Sequence, residues 1–328
     1  MYIYLLFQII SIPRWRNCMR LHEFKDEFRE LVSIVAANKH LPEQAIERDY
    51  YIVLLLKNLE VSQYAEKCVF KGGTSLSKCY PGSIERFSED IDLTFLGVDL
   101  PEKERSKKIK KIEEIITVGA ETEKIPSERS NISKSMYVWF GDKSNRVKLE
   151  IGSSIRPDPY DKKTLKSYIQ EFLEENQAMD DIQKFGLQTV TLNVLDITRT
   201  FIDKLMSVKR HAICGSIEQK VRHIYDVVRL YHLPEIKEFL NNRTELKRLL
   251  RLTKETDSYY LNKRDISKEY NPLGAYDFES WKHYFSGQVK AIYESMHNDL
   301  LYTDEKQNFD EAVETFAEIN KILASIGE

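Results

Sequence analysis

Between Val69 and Phe95 the chain carries a pattern that leaves the backbone few options. A short apolar run, Val69-Phe70, passes directly into Lys71-Gly72-Gly73-Thr74. That order reads as a strand ending in a tight glycine turn, with a helix starting near Thr74. Ile91–Phe95 reads as a second strand, opened by Asp90-Ile91-Asp92-Leu93. Residues two apart on a strand point to the same face, so Asp90 and Asp92 project together, with α-carbons roughly 6.5–7 Å apart at strand rise.

Two carboxylates so placed can share divalent cations, and a third would complete the set. Glu150 is the candidate, in Val147-Lys148-Leu149-Glu150-Ile151, an acid flanked by apolar residues on an expected strand. Like charges 4 Å apart repel by about 4 kcal/mol at an effective dielectric of 20. Without a cation, at least one such carboxyl should take up a proton instead. The glycine turn offers a complementary surface. Glycines let backbone amides approach phosphate oxygens, and the following helix N-terminus adds a favourable dipole. The hydroxyls of Thr74 and Ser75 are expected to donate to the same phosphates. Metal on one side and amides on the other would hold a nucleoside triphosphate in line for attack at its α-phosphorus. Ser88, two residues before Asp90, should share its face. Its hydroxyl either helps place phosphates or, if phosphorylated, adds roughly −1.5 to −2 charges beside the metal site.

Elsewhere the chain alternates helix and strand as far as Asp196. Phe24, Phe28, Leu31 and Val35 have helical spacing, and Pro42 opens a second helix. Pro101–Val118 reads as a charged helix with Ile109, Ile112, Ile115 and Ile116 inward. Met136–Phe140 and Arg146–Ile151 read as strands, Lys162–Gln177 as a helix, and Leu187–Val194 as a further strand. From Ile197 onward nearly everything reads as helix, with breaks near Gly215, Pro234 and Pro272-Leu273-Gly274. The expected organisation is a mixed α/β domain over 19–195 and a helical domain over 196–328. Residues 1–18 read either as an extension upstream of the natural start at Met19 or as a short buried segment. The apolar run Met1–Ile12 is too short to span a bilayer, which needs about 20 residues. The four cysteines, Cys18, Cys68, Cys79 and Cys214, form no C-x-x-C pair and no zinc spacing. A reduced, cytoplasmic protein with no membrane segment is expected.

These residues resemble the AbiEii/MenT family of nucleotidyltransferase toxins, within the polymerase-β-like superfamily. The family's first motif is similar to Gly72-Gly73-Thr74-Ser75-Leu76 followed by Arg86-Phe87-Ser88-Glu89-Asp90-Ile91-Asp92-Leu93. Ile46-Glu47-Arg48-Asp49-Tyr50-Tyr51 is similar to the start of the family's early helix. Phe201-Ile202-Asp203-Lys204-Leu205 resembles a segment with an essential lysine, although the family often has Glu where Asp203 stands. Arg222-His223-Ile224-Tyr225-Asp226 resembles a segment with an essential aspartate. The resemblance implies an α/β polymerase-β-like core with a mixed sheet, then an all-helical C-terminal domain. It also implies that Asp90, Asp92 and Glu150 bind Mg²⁺ (or Mn²⁺), and that Asp90 and Asp92 activate the attacking hydroxyl. Gly72, Gly73, Thr74 and Ser75 would then hold phosphates, Lys204 would contact the triphosphate, and Asp226 would support that pocket. Read without the resemblance, Lys204 is a snorkelling lysine and Arg222 with Asp226 an ordinary surface pair.

The resemblance further implies transfer of a nucleotide from an NTP to RNA, in some members the tRNA 3′ end, and a cognate antitoxin that need not touch the chain. A protein or small-molecule acceptor is the nearest alternative, and a non-catalytic nucleotide-binding regulator the next. With a net charge of −3 the chain is no polycation, so any RNA contact must gather basic residues locally. Two groups are candidates: Lys103, Arg105, Lys107, Lys108, Lys110 and Lys111, and Arg243, Lys247, Arg248, Arg251 and Lys254.

Overall fold

The structure is a computed structural model that describes residues 20–153, 156–261, 269–299, 301 and 306–327. Residues 1–18, read two ways above, lie outside the described residues. In chain order the elements are α1 (Lys25–Lys39), α2 (Glu43–Glu60), β1 (Cys68–Lys71), α3 (Gly72–Cys79), β2 (Asp90–Phe95), α4 (Glu102–Ile116), β3 (Glu121–Lys124), β4 (Ser133–Trp139), β5 (Val147–Gly152) and β6 (Tyr160–Leu165). There follow α5 (Tyr168–Glu175), α6 (Met179–Lys184), β7 (Val190–Leu195), α7 (Ile197–Ile213), α8 (Val221–Tyr231), α9 (Pro234–Asn241), α10 (Arg243–Leu261), α11 (Phe278–Trp281), α12 (Gly287–Asp299) and α13 (Phe309–Ser325).

The chain forms two compact units, Met1–Tyr50 with Lys166–Thr189, and Tyr51–Leu165 with Val190–Glu328. In the first, the rings of Phe28 and Tyr50 lie 5.1 Å apart. The buried Asp49 carboxylate accepts the Tyr168 amide at 2.6 Å, and Ser167 caps α5 by accepting from Gln170 N at 3.1 Å. Asp196, where the sheet gives way to helix, falls inside the second unit.

The second unit is built on a seven-stranded mixed sheet of order β3-β4-β5-β2-β1-β7-β6. β1 is antiparallel to β2 and parallel to β7, while β2 is parallel to β5. Register sorts the side chains onto two faces. One row runs Lys71, Asp92, Glu150 and Ser135 across β1, β2, β5 and β4. The reverse face carries Phe70, Leu93, Ile91, Leu149, Ile151 and Met136, all buried, as alternation requires. Helix α4 lies on that reverse side. Its Ile109, Ile112 and Ile116 are buried, and its Lys110 and Glu113 act electrostatically on Lys134, whose register partner is Ile151. Asn58 of α2 donates to the Ile116 carbonyl at 2.9 Å and closes that layer. The helices after β7 share one core, in which Phe201 and Leu205 of α7 meet Ile224 and Val228 of α8, with Trp281 and Phe316 further along. Asp196 starts α7 by accepting from Thr198 N at 2.8 Å.

A mixed α/β sheet followed by helices is the architecture expected from the sequence. The expected helix over Lys162–Gln177 is a correction. Residues Tyr160–Leu165 form edge strand β6, and helix begins only at Tyr168. An edge strand needs only backbone pairing on one side, here Lys162 opposite Asn193, so its side chains need not alternate in polarity. Strand β3, Glu121–Lys124, escaped the sequence reading for the same reason, all four residues being exposed.

Leu149→Ala should cost about 2–5 kcal/mol of stability, because Leu149 is fully buried between the sheet and its covering helices. Urea unfolding monitored by circular dichroism measures this.

Candidate active site

The antiparallel pairing of β1 and β2 brings the end of one strand beside the start of the other, with Lys71 opposite Asp92. The glycine turn after Lys71 therefore lies against the aspartates for a topological reason. Gly72 has φ +87, a conformation that side chains disfavour. A Cβ on it would also run into the Asp92 carboxylate. A Cβ on Gly73 would meet Ser88 Oγ at 2.6 Å and Arg86 Nη2 at 2.8 Å. Helix α3 starts at Gly72, so its free amides open on this corner. Thr74 and Ser75 lie in the first turn of that helix. Both are buried, and their hydroxyls donate within the protein, Ser75 to the Gly72 carbonyl at 3.0 Å and Thr74 to Ser88 Oγ at 3.1 Å. They shape the turn and tie it to Ser88.

Asp90, Asp92 and Glu150 lie on one sheet face, Asp92 directly opposite Glu150 and Asp90 opposite Lys148. Withdrawal from water, then repulsion from Asp92 and Glu150, pushes the Asp90 carboxyl up to about 6. Burial, with a further push from Glu150, raises Asp92 too, against the pull of Lys71, Lys204 and Lys220. Burial is the larger cause of both shifts, and the neighbouring negative charge adds to it. An all-oxygen donor set of this kind suits a hard divalent cation that completes its shell with water and phosphate oxygens. Among the described residues no three His, Cys, Asp or Glu groups stand close enough to grip an ion. Glu150 is instead ion-paired with Lys148.

The helical layer brings a second constellation to the same region. Asp226 is fully buried. Arg86 holds it with two parallel bonds, Nε to Oδ1 at 2.6 Å and Nη2 to Oδ2 at 2.7 Å. Lys204 Nζ lies 2.8 Å from the same Oδ2. Burial alone would raise the Asp226 carboxyl, but the two cations and their hydrogen bonds hold it below the usual carboxylate range. So Lys204 is not a snorkelling surface lysine, and Asp226 has Arg86 rather than Arg222 as its arginine partner. One carboxylate between two cations leaves a net positive charge, which Lys204 presents towards Asp92. Arg222 is exposed and draws the Asp90 carboxyl down.

Residues 54–315 match the profile of the family described as "Nucleotidyl transferase AbiEii toxin, Type IV TA system". The chain belongs to the AbiEii family of nucleotidyltransferase toxins. It is therefore a nucleotidyltransferase, and the type IV system implies an antitoxin. No curated protein sequence matches the chain. Among solved structures it is similar to MenT4, a nucleotidyltransferase toxin from Mycobacterium tuberculosis H37Rv, at 17% identity and a TM-score of 0.47, over 90% of this chain and 98% of that one. It is also similar to JHP933 from Helicobacter pylori, at 19% identity and a TM-score of 0.37, over 79% of this chain and 95% of that one.

In this AbiEii-family chain, Arg86 is the functional-site residue that the sequence reading passed over, although it stands in the quoted motif. Its signal is its place in the quoted motif two residues before Ser88; acids stand close by in Glu85, Glu89 and Asp90, but the carboxylate it holds is 140 positions away. The basic groups also sort themselves. Lys103, Lys107 and Lys111 are exposed at one-turn spacing on α4, behind the sheet face that carries the acids. In α10, Arg248 is paired with Asp158 and Glu245, Arg251 with Glu255, and Lys254 is buried.

Two outcomes are expected. Gly72→Ala should lose about 1–3 kcal/mol through backbone strain and displace Asp92, so transfer activity should fall while circular dichroism stays native. Asp226→Asn should lose about 3–5 kcal/mol at pH 7 by leaving buried cations unpaired. The folded carboxyl is depressed, so its contribution is fully present above the ordinary carboxylate value and fades as pH falls through the lower folded value. The stability gap between wild type and Asp226→Asn should therefore be constant at neutral pH and close only below the ordinary carboxylate value of 3.8. Denaturation at several pH values tests this.

Proposed function

We propose that the chain transfers a nucleoside monophosphate from an NTP to the 3′ end of an RNA, with tRNA as the acceptor. The observation that carries the proposal is the row of Asp90, Asp92 and Glu150 facing the glycine turn, with Lys204 opposite. In this reading the amides at Gly72 and Gly73, the Ser88 hydroxyl and the Lys204 ammonium bind the phosphates. Thr74 and Ser75 hold the turn in shape for them. Asp90, Asp92 and Glu150 would hold Mg²⁺ (or Mn²⁺), which when bound offsets negative charge and lowers the barrier to ionising the attacking hydroxyl. A carboxylate oxygen of the Asp90–Asp92 pair takes the proton of that hydroxyl. The hydroxyl oxygen bonds to the α-phosphorus, the bond from the α-phosphorus to the bridging oxygen breaks, and diphosphate leaves. Lys204 stabilises the departing charge, and Arg86 and Asp226 keep it aimed.

The choice of RNA rests on the motif resemblance, since the exposed lysines of α4 lie behind the catalytic face. Among the described residues no helix is long and apolar enough to cross a membrane. The motif resemblance supports a cytoplasmic setting and a cognate antitoxin that need not touch the chain.

Incubation with each labelled NTP, Mg²⁺ and total tRNA should label the RNA at its 3′ end. Asp92→Ala should abolish labelling with the fold intact. Label on protein or on small molecules, with none on RNA, would redirect the acceptor assignment. An active Asp92→Ala would remove the metal role.

A further inference from the structure

Glu150 does not stand free on the acidic face. Its carboxylate is ion-paired with Lys148, two residues earlier on β5 and on the same face. The same ammonium also reaches Glu128 at 2.8 Å. Lys148 is itself directly opposite Asp90 in the sheet register, just as Glu150 is opposite Asp92. One lysine thus stands between two carboxylates, only one of which faces the aspartates. At this corner the charge that would complete a three-carboxylate group is already met by an ammonium.

We propose that Lys148 is a positioning residue that competes with a divalent cation for Glu150, and that Glu128 receives the ammonium when Glu150 turns to the aspartates. The inference rests on the metal-binding reading of Asp90, Asp92 and Glu150. Its physical basis is simple. A carboxylate cannot serve an ammonium and a dication at close range without forcing the two cations together. The lysine ammonium is a point charge on a flexible stem, and a half-exposed ion pair is weakly held. With Glu128 already in reach, the exchange trades one ion pair for another and strands no charge. Glu150 is thereby withheld from Asp90 and Asp92 until a dication is abundant.

The test is a Mn²⁺ titration of the full chain without nucleotide, with free Mn²⁺ read from its electron paramagnetic resonance signal. Lys148→Met should bind Mn²⁺ about 5-fold more tightly. That gain should vanish in the Glu150→Gln background, whereas a general charge effect would persist there. Glu128→Gln should bind more weakly than wild type, because the ammonium loses its second seat. Unchanged affinity in Lys148→Met, or a gain that survives Glu150→Gln, overturns the proposal. If Asp92→Asn still abolishes binding in that case, the metal reading stands alone. A wild-type chain that takes up no Mn²⁺ at all sinks the metal reading, and this proposal with it.

Discussion

A single buried carboxylate joins the sheet to the helices of the second unit. Asp226, on α8, takes two bonds from Arg86, which precedes β2, and one from Lys204 on α7. All three groups are almost wholly removed from water. Such an arrangement stabilises little in net terms, because desolvation offsets most of the attraction. Its value is geometric. Each partner is costly to leave unpaired, so the chain segments before β2, in α7 and in α8 are held in one relative placement. The aspartates that follow Arg86 inherit that placement, and so does the lysine that faces them.

The charges around this anchor are deliberately unequal. Asp226 is outnumbered by its cations, while Asp90, Asp92 and Glu150 crowd negative charge onto the sheet. The first group leaves a positive end, while in the second burial, helped by neighbouring negative charge, opposes ionisation of Asp92 and of Asp90, which is pushed to about 6. Neither half is at rest electrostatically. A ligand that brings phosphates and dications together relieves both, and nucleotidyl transfer is chemistry with those parts. The glycines decide how near the two halves can come, since any side chain at Gly72 would occupy the space of the Asp92 carboxylate.

Much of this was legible from local sequence. The strand and turn around Gly72, the shared face of Asp90 and Asp92, and the apolar stripe of α4 follow from periodicities that need no tertiary information. Glu150 was legible through the oddity of an acid among Leu149 and Ile151. What was not legible depended on partners far away in the chain. Strands β3 and β6 carry no alternating pattern, because edge strands are held by backbone bonds. The burial of Thr74 and Ser75, and the bonds their hydroxyls make inside the turn and to Ser88, are set by tertiary packing. Arg222 and Asp226 have helical spacing for a pair, yet the carboxylate lies on the inner side of α8 and the guanidinium on the outer.

The amino-acid order by itself determined which residues could carry the chemistry, because strand alternation and glycine conformation are local properties. It also determined the family, through motifs read along the chain. Only the tertiary structure decided which charges meet: Arg86 with Asp226 across 140 positions, Lys204 beside them, and Lys148 with Glu128 and Glu150. The reason is the range of the forces. Backbone preference acts over a few residues, whereas burial and Coulomb attraction act between whatever the folded chain brings within a few ångströms, regardless of separation in sequence.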